Sequence, residues 1–350
     1  MKIAITSFYL PSGSKIGVGY MVHYLANQLV QRGHQVTVFS HCGPCEDSLY
    51  EVVRVPCGNH LRTFRFAWEL RHYDFSGFDV LNAHGDDWFL WGRRLPRHIH
   101  TFHGSCLAEM LHATTLPVRT RMGALALCEF GSAFLAGERV AVSANTRRYL
   151  PRINHVIANG VDLAAFKPDG GAKSENPSIL FVGTLHGRKR GSMLLELFRR
   201  EIRPVFPKAE LWAVCENPIQ AEGVHACGRV SRERLIDLYR RAWVFCLPSS
   251  YEGFGVPYLE AMACGTPVVA TPNPGALEVT CNGRCGWIAP EKELGFALLR
   301  VLGEAGLRER MREAGLARAQ EFGWDSVCER YERLYLQEEE PEPIREEFAG

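Results

Sequence analysis

The sequence predicts an α/β protein made of two consecutive domains, each built on a parallel sheet. Three observations lead there. Short apolar, strand-like runs alternate with helix-length segments; this alternation restarts after a loop-rich stretch; and 350 residues are too many for one ordinary core but suit two domains of roughly 150 to 200 residues. An apolar share of 46% against 23% charged supplies enough hydrophobic material for two soluble cores.

The first forty residues read as a β-α-β unit. KIAIT (2–6) is a short apolar strand, and Gly17-Val18-Gly19 follows a glycine- and serine-bearing loop. Met21, Leu25, Leu29 and Val30 then recur at helical spacing over 20–32, Gly33 ends the helix and QVTVF (35–39) is the next strand. VVRVP (52–56), FDVLNAH (78–84), HIHTFHG (98–104) and RVAVS (139–143) continue the strand series. FKPDGGAKSENP (166–177), rich in Pro, Gly and charge, marks the boundary. SILFVGTL (178–185) opens the second series, followed by the helix SMLLELFRREI, AELWAVC (209–215), a helix near 231–241, WVFCLP (243–248) and TPVVAT (266–271). A helix at 324–338 has no strand after it and is expected to cross back to the first domain. The division is thus 1–165, 166–323, 324–338 and a disordered acidic tail at 339–350.

No apolar run reaches the roughly 20 residues a bilayer requires, and Pro11 interrupts the only apolar run near the start, so a cytoplasmic enzyme is expected. Twelve scattered cysteines in a chain of this size do not form a disulfide framework. Cys42-Gly-Pro-Cys45 has the spacing of a redox pair or half a zinc site. Without a second pair at ribbon spacing it reads as plain thiols, as do Cys281 and Cys285. The net charge of +1 hides a basic first part, with 16 Lys and Arg against 11 Asp and Glu over 1–152, and an acidic remainder with 24 against 28. Arg62, Arg65, Arg93, Arg94, Arg97, Arg119, Arg121, Arg147 and Arg148 make that first part basic. They read either as solvated helix faces or as a patch for an anionic acceptor or peripheral membrane contact; nothing resembles a nucleic-acid reader.

In open parallel sheets ligands bind beyond the carboxyl ends of the strands, where helix N-termini offer free N–H groups. Gly17 and Gly19 sit at one such point, but the full dinucleotide pattern and its acidic partner are missing, which disfavours a nicotinamide dehydrogenase. HGRKRG (186–191) places Arg188, Lys189 and Arg190 between a strand and a helix, a setting for a diphosphate as well as for an ordinary surface charge run. In YEGFGVPYLE (251–260), Pro257 suits the first turn of a helix; Glu260 is expected in that same turn, where the dipole favours a carboxylate. Glu252 precedes the helix, beside glycines that leave room for a ligand. His103, like His84, falls at the carboxyl end of a strand, with Gly104 permitting close approach. Asp86-Asp87 is too little for a metal motif, and no metal or cofactor is expected.

Together these residues resemble the retaining glycosyltransferases of family 4. The likeness rests on Glu252-Gly-Phe-Gly-Val-Pro-Tyr-Leu-Glu260, which matches the family's E-x7-E signature and continues into AMACGTPVVAT. Supporting matches are IANGVD (157–162) with Phe166, FVGTL (181–185), GRVSRERLIDLYRRA (228–242) and LPSSYEGFG (247–255). The resemblance implies a GT-B fold, two Rossmann-like domains facing each other across a deep cleft, and a nucleotide-sugar donor held mainly by the second. It implies that Glu260 binds the ribose; that Glu252, Gly253 and the Phe254-Gly255-Val256 backbone hold sugar hydroxyls and phosphate; and that Val230 flanks the base. Lys189 and Arg190, with Arg188, would neutralise the departing diphosphate, Gly17 and Gly19 would approach it, and His103 would stand near the reacting sugar. Many members carry arginine where this chain has Thr184, which shifts weight onto Arg188, Lys189 and Arg190.

The function so implied is transfer of a hexose-type sugar from a nucleotide diphosphate, UDP-linked more than GDP-mannose, with retention of configuration. The acceptor is a glycan, lipid-linked or small-molecule hydroxyl. A GT-B sugar-nucleotide epimerase or hydrolase, and a sugar-nucleotide-binding partner without activity, are the competing readings.

Overall fold

The computed structural model describes residues 1–13, 17–58, 60–113, 115–217 and 219–338. The acidic tail expected at 339–350 lies outside the described residues. The first sheet contains β1 (Lys2–Thr6), β2 (Gln35–Ser40), β3 (Glu51–Arg54), β4 (Val80–Ala83), β5 (Arg97–Phe102), β6 (Glu138–Ala141) and β7 (His155–Val156), in the order β3-β2-β1-β4-β5-β6-β7. The second contains β8 (Ser178–Val182), β9 (Glu210–Val214), β10 (Val224–Ala226), β11 (Val244–Leu247), β12 (Val268–Ala270) and β13 (Trp287–Ile288), in the order β10-β9-β8-β11-β12-β13. Every pairing is parallel; Ile3, for example, is in register with Val36 on one side and Val80 on the other.

Parallel sheets are covered by helices on both faces, so their central strands are apolar throughout rather than alternating. That is the pattern here: all four residues of β4 and of β11 are buried, and β1 exposes only Lys2. Each sheet reverses its winding once, between β1 and β4 in the first and between β8 and β11 in the second. Crevices open at such reversals. The loops after β1, β4, β8 and β11 carry Gly17, His84, Arg188-Lys189-Arg190 and Glu252, so the topology gathers most of the chemistry-bearing loops at the two reversals. His103 follows β5, one strand further on.

The main strands fall where the sequence places them. The structure adds β7, β10 and β13, each two or three residues long, and the helices Cys106–His112, Leu116–Leu135, Leu294–Gly303 and Ala305–Gln320. The helix from Gly191 runs through a π turn at Phe198–Ile202 to Val205. All twelve cysteines are free. Several arginines of the first part are tied locally: Arg62 lies over Phe8, Arg93 donates to the Tyr73 carbonyl, and Arg97 pairs with Glu138. Among the described residues no helix is long and apolar enough to cross a membrane.

The helix Trp324–Leu336 is built into the first domain's core. Trp324, Val327, Cys328, Tyr331, Leu334 and Tyr335 pack with Ile3, Val22, Leu25 and Val80. Asn82 donates to Tyr335 Oη at 2.7 Å, and Arg32 and His34 both meet Glu332, at 2.9 and 2.8 Å. The indole of Trp324 lies flat against Gly160, where a Cβ would come within 2.5 Å of a ring carbon. Gly160→Ala must therefore displace the ring. It is expected to lower the unfolding free energy by about 1–3 kcal/mol, the usual cost of forcing a methyl into a packed core. Urea denaturation checks this; a variant within about 0.5 kcal/mol of wild type, the range of surface substitutions, would show that the contact is not tight.

Candidate active site

A cavity of about 580 Å³ lies between the domains. Gly17, Tyr20 and Tyr24 form its wall on the first domain; Gly183, Thr184, Val230, Arg232, Val256 and Glu260 form it on the second; and Trp324 contributes from the crossing helix. The two expected glycines differ. A Cβ on Gly17 would meet nothing within 4 Å, so this residue faces open space at the start of the helix Gly17–Gln31. A Cβ on Gly19 would fall 3.2 Å from the backbone of Tyr9 and Leu10, so Gly19 lets the helix sit close on the preceding loop and is not a cavity wall.

Beyond the Gly183–Thr184 edge of the cavity, the loop after β8 meets the loop after β11. Lys189 Nζ lies 2.7 Å from Glu252 Oε1 and Arg188 Nη1 lies 2.9 Å from Glu252 Oε2. Ser249 Oγ donates to Glu252 Oε1 at 2.6 Å, and Arg188 also donates to the Tyr251 carbonyl. Burial by itself would raise the Glu252 carboxyl, but Lys189 and Arg188, with the Ser249 hydrogen bond, outweigh it and hold the group below its ordinary value. Burial lowers Lys189, opposed by Glu252. A buried carboxylate thus fixes two cations at the carboxyl end of the second sheet. Gly183 makes room for the stem of Lys189, whose Cβ and Cγ would be 3.2 Å from a Cβ there.

Arg190 does not join them. Its φ of 52° is left-handed and turns the side chain away. It donates to the Pro248 carbonyl at 2.6 Å and to Thr271 Oγ1 at 3.0 Å, and pairs with Glu291 at 2.8 Å. The role in charge neutralisation implied for Arg190 is therefore corrected: it clamps the ends of β11 and β12, and Arg188 and Lys189 face Glu252.

The helix Val256–Ala263 starts after Gly255, whose φ of 99° leaves no place for a side chain; a Cβ would be 2.5 Å from the Tyr258 ring. Counting from Val256, Glu260 lies in the second helical turn, so the expected first-turn dipole contact does not hold. Its Oε2 accepts from Tyr239 Oη at 3.0 Å. Burial raises the Glu260 carboxyl to about 7, against the opposing pulls of Tyr239, Arg232 and Lys189. Phe254 is buried in the second core, which leaves only its backbone for ligands, and its carbonyl packs on Gly275.

The domains touch where Gly253 meets His103: a Cβ on Gly253 would be 3.0 Å from the His103 carbonyl oxygen. His103 Nε2 lies 2.8 Å from His84 Nδ1, and burial, with His100 nearby, lowers His103 to about 4. Both imidazoles are thus neutral at physiological pH. The other two histidines of HIHTFH are structural: His98 and His100 clasp the buried carboxylate of Asp87 at 2.8 and 2.9 Å. Glu252, Lys189 and His103 are brought to this domain contact, whereas Gly17, Val230, Val256 and Glu260 are on the cavity wall.

Tyr20, Tyr24, Asp162, Arg232 and Trp324 were not singled out from sequence. Arg232 pairs with Asp162 and lies over the rings of Tyr24 and Phe166, at 5.4 and 5.5 Å. Two tyrosines one helical turn apart behind a glycine start were the available signal for the first-domain wall.

A carboxyl held below its ordinary value contributes stability that is complete above the unfolded pKa near 4.5 and is lost as pH falls through the folded value. Glu252→Gln is expected to cost about 2 kcal/mol at neutral pH, less than a fully buried pair because the Arg188 side chain is 42% exposed. The gap to wild type should close as pH drops below 4.5. A gap that stays constant in urea melts across that range would show that the ion pairs are not what Glu252 contributes.

Comparison with known proteins agrees with this architecture. Residues 16–165 match the family model described as Glycosyltransferase Family 4, and residues 164–318 match that described as Glycosyl transferases group 1. A D-inositol 3-phosphate glycosyltransferase of Xylanimonas cellulosilytica is 29% identical over 95% of this chain and 94% of its own length. A second one, of Kribbella flavida, is 30% identical, and an O-antigen chain mannosyltransferase B of Escherichia coli is 32% identical. Those two matches span 50% and 42% of this chain and about half or less of the relatives, 48% and 42%. Among solved structures, sucrose-phosphate synthase from Thermosynechococcus elongatus superposes with a TM-score of 0.82 at 22% identity, covering 96% of this chain and 98% of that one. Anabaena HepE in complex with UDP-glucose gives 0.74 at 16% identity, covering 96% and 100%. The chain belongs to glycosyltransferase family 4 and has the two-domain GT-B fold.

Proposed function

We propose that this glycosyltransferase moves a hexose-type sugar from a nucleotide diphosphate to an acceptor hydroxyl, with retention of configuration and without a catalytic metal. The observation that carries the reading is the pairing of Arg188 and Lys189 with the buried Glu252 carboxylate, set beside the interdomain cavity and against His103. In this reading the nucleoside occupies the cavity, its base near Val230 and its ribose at Glu260, and the diphosphate extends along Gly183 and Thr184 to the two cations. UDP is preferred over GDP on the breadth of the family.

The glycosyl–phosphate bond breaks through an oxocarbenium-like state, and negative charge grows on the departing oxygen. Lys189 and Arg188, already positioned by Glu252, stabilise that developing charge more than they stabilise the ground state, which is the condition for acceleration. The N–H groups at the start of the Val256–Ala263 helix add to the field. The acceptor hydroxyl attacks from the face the diphosphate leaves; its oxygen forms the new bond to the anomeric carbon, and its proton passes to the departing diphosphate. Neutral His103 hydrogen-bonds the sugar, and Glu252 holds its hydroxyls; neither acts as the acid/base pair of a glycosidase. An epimerase or hydrolase would consume donor with no acceptor present, and a binding partner would not turn it over.

Lys189→Ala is expected to lower kcat by about 10²–10³-fold, the scale seen when one preorganised charge-stabilising donor is removed. Unchanged acceptor glycosylation in this variant would refute the assigned site, and absence of UDP or GDP binding by calorimetry would remove the donor reading altogether. The Glu260 carboxyl, at about 7, accepts ribose hydroxyl hydrogen bonds best when ionised. Donor KM should therefore rise as pH falls below about 7 and lose that dependence in Glu260→Gln; equal pH profiles in the two proteins would show that Glu260 does not touch the donor.

A further inference from the structure

The Cys42-Gly-Pro-Cys45 segment does not act as a pair. Cys42 is buried, with its Sγ 3.7 Å from the Phe8 carbonyl oxygen. Cys45 instead lies in the surface loop that follows β2, together with Asp47, over the helix Gly17–Gln31. There one ligand atom from each of Cys45, Asp47 and His23 lies within 4.8 Å of the other two, with His23 Nε2 and Asp47 Oδ2 3.3 Å apart. That last distance is about the edge of a tetrahedron with bonds of about 2.0–2.1 Å, the geometry of a zinc site.

The contacts around His23 are compatible with a cation at Nε2. Asn27 Oδ1 accepts from the Leu49 N–H at 2.9 Å, which fixes the carboxamide and turns Nδ2 toward His23 Nε2 at 3.3 Å and the Asp47 carbonyl at 3.1 Å. Tyr50 Oη occupies Nδ1 at 2.9 Å, so Nε2 is the nitrogen that faces the Asp47 carboxylate. With the ring proton on Nδ1, the Nε2 lone pair and Asp47 Oδ2 are both acceptors. A metal ion between them satisfies both, and the Asn27 amide then keeps the Asp47 carbonyl as its partner. Tyr50 Oη engages the other ring nitrogen, in the place where metal-ligating histidines ordinarily meet a carboxylate, a carbonyl or water, and so orients the ring.

We propose that His23, Cys45 and Asp47 form a three-ligand site for a divalent transition-metal cation, with zinc the best match, outside the transfer site. One imidazole, one thiolate and one carboxylate suit zinc rather than magnesium or calcium, and a water completes four ligands. The ion ties the loop to the helix that carries Tyr20 and Tyr24 on its cavity side, so it steadies one wall of the donor cavity from behind.

The full chain, stripped with a chelator, is titrated with Zn²⁺ against a chromophoric competitor and separately with Co²⁺. The expected result is one equivalent of tight binding, a tetrahedral cobalt spectrum and a thiolate-to-cobalt charge-transfer band. Cys45→Ser and Asp47→Asn, both at accessible loop positions, should each weaken binding at least 10-fold and abolish or shift that spectrum, and Tyr50→Phe about 10-fold. Cys42→Ser should leave both unchanged. No stoichiometric binding by the wild-type chain would overturn the site; so would wild-type affinity and spectrum in Cys45→Ser and Asp47→Asn, which would place any bound metal on the other thiols.

Discussion

The second domain's half of the cleft depends on one buried carboxylate. Glu252 is 5% exposed, and a lone charge so placed would be costly; it is tolerated because Lys189, Arg188 and Ser249 surround it. The consequence runs in both directions. The carboxylate holds two cations still at the carboxyl end of β8 and β11, and the cations keep it ionised. Other contacts brace the frame around it: Arg190 ties the Pro248 carbonyl to Thr271, and Asn273 donates to the Ser249 carbonyl at 3.2 Å. Three consecutive bases thus divide into two that meet the buried Glu252 and one that ties the end of β11 to the end of β12.

That frame is packed against its neighbours through residues with no side chain. Gly253 admits the His103 carbonyl, and Gly275 admits the Phe254 carbonyl at 2.5 Å from where its Cβ would be. A methyl at either place would push the Glu252 loop off its neighbour. The order of glycines in this loop therefore follows from packing as well as from ligand access, and Gly255 adds a third demand through its positive φ.

Much of this arrangement can be read in the sequence. Long apolar runs such as SILFVGTL and WVFCLP give central strands because burial on both faces removes any polar alternation. The loops that follow them carry Lys189 and Glu252, and Glu260 stands in the helix just beyond. Strands β7, β10 and β13 escaped because two or three partly exposed residues carry no period. Arg190 was misassigned because its direction is set by a single left-handed residue, which charge and spacing do not reveal. His98 and His100 look like candidates equal to His103 in HIHTFH; only the fold shows that Asp87, eleven and thirteen residues earlier, claims them.

The cavity wall shows why its tertiary members could not be assigned locally. Trp324 begins a helix that belongs to the first core, rests on Gly160 in the segment joining the domains, and lies 5.8 Å from the Tyr24 ring. Arg232, from the second domain, covers the same tyrosine while paired to Asp162. Two separate stretches of chain, both held by a third at Gly160–Asp162, therefore converge on Tyr24. Shifting any one of them moves an aromatic or guanidinium surface against which the nucleoside would lie. A cavity so shared depends on the relative placement of the two domains, and the helix Gly17–Gln31 lies between it and the loop behind: Tyr20 and Tyr24 line the cavity while His23 meets the loop.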